Sequence, residues 1–223
     1  MIGSEIFGQR RSLPGRHRRW QTALLWLTLA WALVAAGCGK SPPGIAPLST
    51  DAVILAYGDS LTYGIGATSE QAYPRQLQTL VGLRVVNAGV PGETTPEALE
   101  RLDSTLREFR PELVVLCSGG NDMLRQMDRT AMQRNLEEMI RRIRASGSAV
   151  ILLGVPEPKL LRLKAAPEYA AIADALEVPA DLEVIPATLG ERGLKSDAIH
   201  PNAAGYRRIA EAVARLLHDS GAI

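Results

Sequence analysis

The sequence predicts an α/β fold: a three-layer α/β/α sandwich around a mostly parallel central sheet. Three observations predict it. Short apolar runs recur through residues 52–155, each of strand length and each closed by Gly, Asn, Ser or Pro. Between them lie segments with apolar residues at three-and-four spacing, as on the buried stripe of a helix. The alternation of the two patterns calls for a parallel sheet covered on both faces, because parallel neighbours are joined by crossovers.

In chain order, Ala52–Tyr57 reads as the first buried strand, closed by Gly58. Leu83–Asn87, Glu112–Cys117 and Ala149–Val155 follow as strands. Helices are expected over Pro74–Val81, Pro96–Phe109 and Tyr169–Leu176. Met132, Leu136, Met139, Ile140 and Ile143 form one helical stripe, which Gly147 stops. Ala203, Tyr206, Ile209, Ala210, Val213, Leu216 and Leu217 form another, with Pro201 and Asn202 supplying its turn and cap. Residues 178–189 carry no clear period, and their strand stays undefined.

The chain of 223 residues suits one domain plus a leader. Residues 1–37 hold five arginines (Arg10, Arg11, Arg16, Arg18 and Arg19) and one acid, Glu5. The rest holds 20 basic and 23 acidic residues, without the clustered basic face of a nucleic-acid binder. Residues 20–39 are uncharged and rich in Ala, Leu and Trp. A basic start, an apolar core and a small-residue end describe a secretory signal. Ala35-Ala36-Gly37 before Cys38 resembles a bacterial lipobox, with cleavage and lipidation at Cys38; Ala35 stands where leucine is usual. The other reading is an uncleaved anchor, since about 20 apolar residues span a bilayer. Both place the domain outside the cytoplasm, facing the periplasm, because the arginines stay inside. The expected organisation is a signal over 1–37, a Pro-rich tether over 38–50 and a catalytic domain over 51–223. Cys117, the second of two cysteines, sits in an apolar run and reads as core.

Each expected strand end carries a cluster: Gly58-Asp59-Ser60-Leu61, then Asn87-Ala88-Gly89-Val90-Pro91-Gly92, then Ser118-Gly119-Gly120-Asn121-Asp122. Asp197-Ala198-Ile199-His200-Pro201 precedes the last helix. In parallel sheets, sites form at the carboxyl ends of strands. A hydrolytic serine needs a base, a group to orient the base, and donors for the oxyanion. Of three histidines, His17 lies in the leader and His218 on a polar last turn, which leaves His200. Asp197, three residues before it, lies close enough to fix its tautomer. The backbone N–H of Ser60 and Gly92 and the side-chain amide of Asn121 are candidate oxyanion donors. Taken singly, each cluster reads equally as a turn, a loop or a helix cap. No metal is expected, because one usable histidine and no Cys/His pairs make a zinc site unlikely by composition. No phosphate-binding or dinucleotide motif is complete, and no cofactor is expected. Gly58–Thr62 is not a Gly-x-Ser-x-Gly elbow either.

Taken together, the four clusters resemble those of the SGNH (GDSL) hydrolases over residues 52–217. The resemblance implies a flavodoxin-like fold with Ser60 as nucleophile, Asp197 and His200 completing a triad, and Ser60, Gly92 and Asn121 as the oxyanion hole. Within the family, Gly58-Asp59-Ser60-Leu61-Thr62-Tyr63-Gly64 and Asp197-Ala198-Ile199-His200-Pro201-Asn202 are similar to the bacterial thioesterase I, lysophospholipase and arylesterase branch. Pro91 stands where serine is frequent there, and Ala198 where glycine is frequent. The implied activity is hydrolysis of carboxylic esters or thioesters through a Ser60 acyl-enzyme. A carbohydrate O-acetyl esterase and a non-catalytic envelope-binding lipoprotein are the alternatives. Met123, Leu124 and Met127, with Leu160, Leu161 and Leu163, are candidates for an acyl groove or for ordinary packing. The expected partners are an ester substrate, small-molecule or lipid, and a membrane reached through the N-terminal lipid.

Overall fold

A computed structural model describes residues 42–157 and 163–223. The expected signal segment, Cys38, Leu160 and Leu161 lie outside the described residues. Five strands form one sheet in the order β2-β1-β3-β4-β5, with every neighbouring pair parallel. They are β1 (Val53–Gly58), β2 (Arg84–Gly89), β3 (Leu113–Cys117), β4 (Ala149–Leu153) and β5 (Ala180–Asp181). All five residues of β3 are buried, as expected of a central strand covered on both faces. The edges are blunted: β5 has two residues, and β2 opens on the exposed Arg84.

Eight α-helices are present among the described residues: α1 (Ser60–Tyr63), α2 (Tyr73–Val81), α3 (Thr95–Phe109), α4 (Gly120–Leu124), α5 (Arg129–Ala145), α6 (Pro167–Leu176), α7 (Val184–Gly190) and α8 (Ala203–Asp219). The helices α2, α7 and α8 pack together in one layer, and α3, α5 and α6 in the other. Helix α5 buries Met132, Leu136, Met139, Ile140 and Ile143, the stripe read from its spacing. Helix α8 buries Tyr206, Ile209, Ala210, Val213 and Leu217, while Asn202 accepts the Gly205 N–H at 3.0 Å as its cap.

Residues 178–189, undefined by pattern, hold β5 and most of α7. Two strand residues after Pro179 are too few to show alternation. They still pair: Leu152 N–H donates to Pro179 O at 2.9 Å, and Gly154 N–H to Asp181 O at 2.8 Å. The Asp181 carboxylate then accepts the N–H groups of Glu183 and Val184, which starts α7. Pro186 falls in the first turn of α7, where its missing donor costs nothing.

The end of the expected tether is bound to the domain. Ile45 N–H donates to Ser220 O at 2.8 Å, and Leu48 N–H to Ala222 O at 2.9 Å. Both side chains pack on the core. The strand order reverses direction beside β1, and the crevice at such a reversal, outside the carboxyl ends of the strands, is where this topology builds sites.

Candidate active site

The carboxyl end of β1 comes within close range of α1 and of its neighbours because two paired residues lack a Cβ. Gly58 and Gly89 face each other across β1 and β2. A Cβ on Gly58 would lie 1.9 Å from Cys117 O, and one on Gly89 would lie 2.2 Å from Tyr63 N. With both absent, α1 starts directly at the strand end. Asp59 caps it, its carboxyl accepting the Leu61 N–H at 3.0 Å. Ser60 is thereby the first residue of α1, with its hydroxyl at the strand ends.

His200 reaches Ser60 from the segment just before α8. Its Nε2 lies 3.0 Å from Ser60 Oγ, and its Nδ1 lies 2.8 Å from Asp197 Oδ2. The other Asp197 oxygen accepts the N–H groups of Ile199 and His200, each at 2.8 Å. Burial opposes the Asp197 charge, but the His200 ring and these two N–H groups outweigh it and hold the carboxyl below its ordinary range. An ionised Asp197 is an acceptor only, so Nδ1 carries the proton and Nε2 is left to accept from Ser60. The loop itself is pinned: Ser196 N–H donates to His200 O at 3.0 Å, and Asn202 N–H to Leu194 O at 2.9 Å. His218, by contrast, is exposed beside Asp219 at the end of α8.

The expected oxyanion donors lie on three adjoining loops. Among the described residues, nothing accepts the backbone N–H of Ser60 or of Gly92. Val90 O accepts the Glu93 N–H at 3.2 Å, so Pro91-Gly92 forms the centre of a tight turn. Gly92 has a φ of 82°. Proline first and a left-handed glycine second are the residues of a type II turn, which gives Pro91 a structural reason. Gly92 is not among the residues that line the cavity beside Ser60, whereas Asn121 is. The Asn121 amide donates to Glu93 O at 2.9 Å and lies 3.4 Å from Asp59 Oδ2, so its second N–H is only weakly held. Asp122 is buried and accepts both the Thr95 N–H at 2.9 Å and the Thr95 hydroxyl at 2.6 Å. It ties the third loop to the start of α3.

Asp59 has a role the sequence did not assign. It is 2% exposed, between Ser60 and Asn121. Burial pushes its carboxyl up to about 7, against the opposing pull of the Leu61 N–H; Glu93 adds to the rise and His200 opposes it.

A cavity of about 380 Å³ opens beside the Ser60–His200 pair. Leu61, Leu124, Val155, Leu163, Leu189 and Ile199 give it a mainly apolar wall. Of the residues that could line a groove or simply pack, Leu124 and Leu163 line it, while Met123 is buried in the core and Met127 does not line it. Val155 follows the end of β4 and Ile199 follows Asp197, a positional signal. Leu189 comes from the segment whose structure was unreadable. Among the described residues, no three His, Cys, Asp or Glu side chains form a metal-binding group.

An apolar cavity at the strand ends, with a serine, a histidine and a carboxylate in hydrogen-bonded series, has the chemistry of acyl transfer. The comparisons with known proteins agree. Residues 56–208 match the GDSL-like lipase/acylhydrolase family. Esterase TesA of Pseudomonas aeruginosa is 33% identical over 170 residues, 72% of this chain and 85% of that one. Thioesterase 1/protease 1/lysophospholipase L1 of Escherichia coli is 28% identical over 179 residues, 75% of this chain and 86% of that one. A crystal structure of TesA superposes with a TM-score of 0.67 at 32% identity, covering 75% of this chain and 99% of the other. The chain therefore belongs to the GDSL-like lipase/acylhydrolase family, as an ester-hydrolysing serine hydrolase.

Proposed function

We propose that this enzyme cleaves carboxylic esters or thioesters of medium or longer acyl chains through an acyl-enzyme on Ser60. The observation that carries the reading is the unbroken series Ser60–His200–Asp197 at 3.0 Å and 2.8 Å on the wall of an apolar cavity. His200 takes the Ser60 proton as Oγ attacks the acyl carbonyl. Asp197 stays ionised and steadies the imidazolium. The N–H groups of Ser60 and Gly92 and the Asn121 amide receive the oxyanion. His200 returns its proton to the departing alcohol or thiol, and water then releases the acid by the same route.

The six aliphatic wall residues favour a fatty acyl group over acetyl, which would leave most of that surface unused. Ser60→Ala is expected to lower kcat/KM on an aryl ester by at least about 10³-fold and to abolish fluorophosphonate labelling. Activity within tenfold of the parent would overturn the assignment of Ser60. An acyl-length series that peaks sharply at acetyl would favour a sugar O-acetyl esterase instead.

We also infer that the chain is exported and held on the periplasmic side of a membrane by lipid on Cys38. Support comes from the arginine-rich start, the uncharged run over residues 20–39 and the small residues before Cys38. Inhibiting lipoprotein signal cleavage in cells should accumulate a larger precursor, and Cys38→Ser should abolish labelling by a fatty-acid probe. Unchanged size and labelling in both would mean an uncleaved anchor.

A further inference from the structure

One guanidinium binds the ends of two of the strands whose loops carry the proposed oxyanion donors and reaches the third loop through Glu93, yet it lies outside the cavity. Arg101, on α3, donates from Nη2 to Ala88 O at 2.8 Å, to Gly58 O at 3.4 Å and to Glu93 Oε2 at 2.8 Å. Its Nε donates to the other Glu93 oxygen. The guanidinium carbon sits 4.0 Å over the centre of the Tyr57 ring. Gly58 is two residues before Ser60. Ala88 is the next-to-last residue of β2, the strand that leads to the Gly92 turn, and Glu93 follows Gly92 directly. Glu93 O in turn accepts the Asn121 amide at 2.9 Å. The side chains are mostly out of water, with Glu93 4% and Arg101 25% exposed.

We propose that Arg101, with Glu93, is a positioning residue that sets the distances among the Ser60, Gly92 and Asn121 donors. The inference rests on the reading of those three as the oxyanion hole. An oxyanion hole works only where its donors are fixed before charge develops. Three loops from different strand ends have no covalent reason to hold a common register. A planar fork that spans a carboxylate and two carbonyls fixes two of these loops together, and Glu93 O carries the tie to the third; an ammonium group, as a point charge, does not supply that fork. Because Arg101 touches no substrate, its removal weakens transition-state binding more than ground-state binding.

The test uses Arg101→Met, Arg101→Lys and Glu93→Gln, with Ser60→Ala beside them, in the full-length enzyme on a soluble aryl ester. Active sites are titrated with a fluorophosphonate so that kcat is expressed per competent serine. Each of the three network variants is expected to lose about tenfold to a hundredfold in kcat with KM within about threefold. Arg101→Lys should fall nearly as far as Arg101→Met. A kcat per titrated site within threefold of the parent in Arg101→Lys and Glu93→Gln overturns the proposal, even where Arg101→Met lowers folding yield or Tm. An active Ser60→Ala would instead overturn the catalytic reading itself, so the two failures are distinct.

Discussion

Asp59 lies between the proposed nucleophile and the proposed oxyanion amide, with its carboxyl almost wholly out of water. Desolvation raises it to about 7 from an ordinary value of 3.8, and the Leu61 N–H only partly offsets that. The sign follows by linkage. Between about pH 4 and pH 7 the folded state keeps a proton that the unfolded state has lost, so this group lowers stability as pH rises through that window. Asp59→Asn cannot titrate and keeps an oxygen for the Leu61 N–H. Measured by urea unfolding, its stability relative to the parent should improve from pH 4.5 to pH 8, by at most a few kcal/mol on the order of 1.4 kcal/mol per pKa unit. An identical difference at both pH values would refute the assignment. Asp197 has the opposite sign: held below its ordinary range, it contributes stability that is lost as pH falls into the acid range.

At the scale of elements, α1 depends on the bare backbone of the strands beneath it. The Gly58–Gly89 pair lets the Thr62–Tyr63 backbone descend onto β2, and no rotamer change relieves a contact with Cys117 O or Tyr63 N. Gly58→Ala is therefore expected to cost about 3 kcal/mol or more and to lower kcat/KM at least about a hundredfold, as Ser60 shifts from His200. Gly190→Ala, where nothing lies within 4 Å of an added Cβ, is the matched control. It should stay within about 0.5 kcal/mol of the parent. Thermal unfolding and ester kinetics on the same samples decide both. Equal behaviour of the two variants would show that the close approach at β1 is relaxed at no cost.

At the scale of the whole molecule, the segment before β1 closes the fold where α8 ends. Ile45 and Leu48 bond to Ser220 and Ala222 and pack on the core, and the Ser49 N–H donates to the Glu112 carboxylate at 3.0 Å. Two backbone bonds and two half-buried aliphatic side chains contribute roughly 2 kcal/mol. A fragment beginning at residue 51 should thus melt about 4–8 °C below one beginning at residue 42, with kcat unchanged. Equal melting points would make the segment a passive linker. Glu112 stands at the amino end of β3 and Ser60 beyond the carboxyl end of β1, so the chain enters the domain on the side away from the cavity. No helix among the described residues is long and apolar enough to cross a membrane.

Much of the fold was written in local pattern. Buried parallel strands are continuous apolar runs, and helices show a stripe, so β1, β3, β4, α5 and α8 were legible from residue order alone. The residues of the proposed triad could be picked out too, because a single histidine had the right company, and the structure brings the three into hydrogen-bonding distance. Tertiary structure decided the rest. The pair β5 and α7 is too short for any period, and only pairing with β4 defines it. The turn at Pro91-Gly92 became readable once Glu93 N–H met Val90 O. Most of all, the links from Arg101 to Gly58, Ala88 and Glu93 join positions up to 43 residues apart in the chain. Local sequence fixes which residue carries a hydroxyl, an imidazole or an amide. Whether those groups stand at reacting distance depends on strand register and loop contacts, which exist only after the sheet has formed.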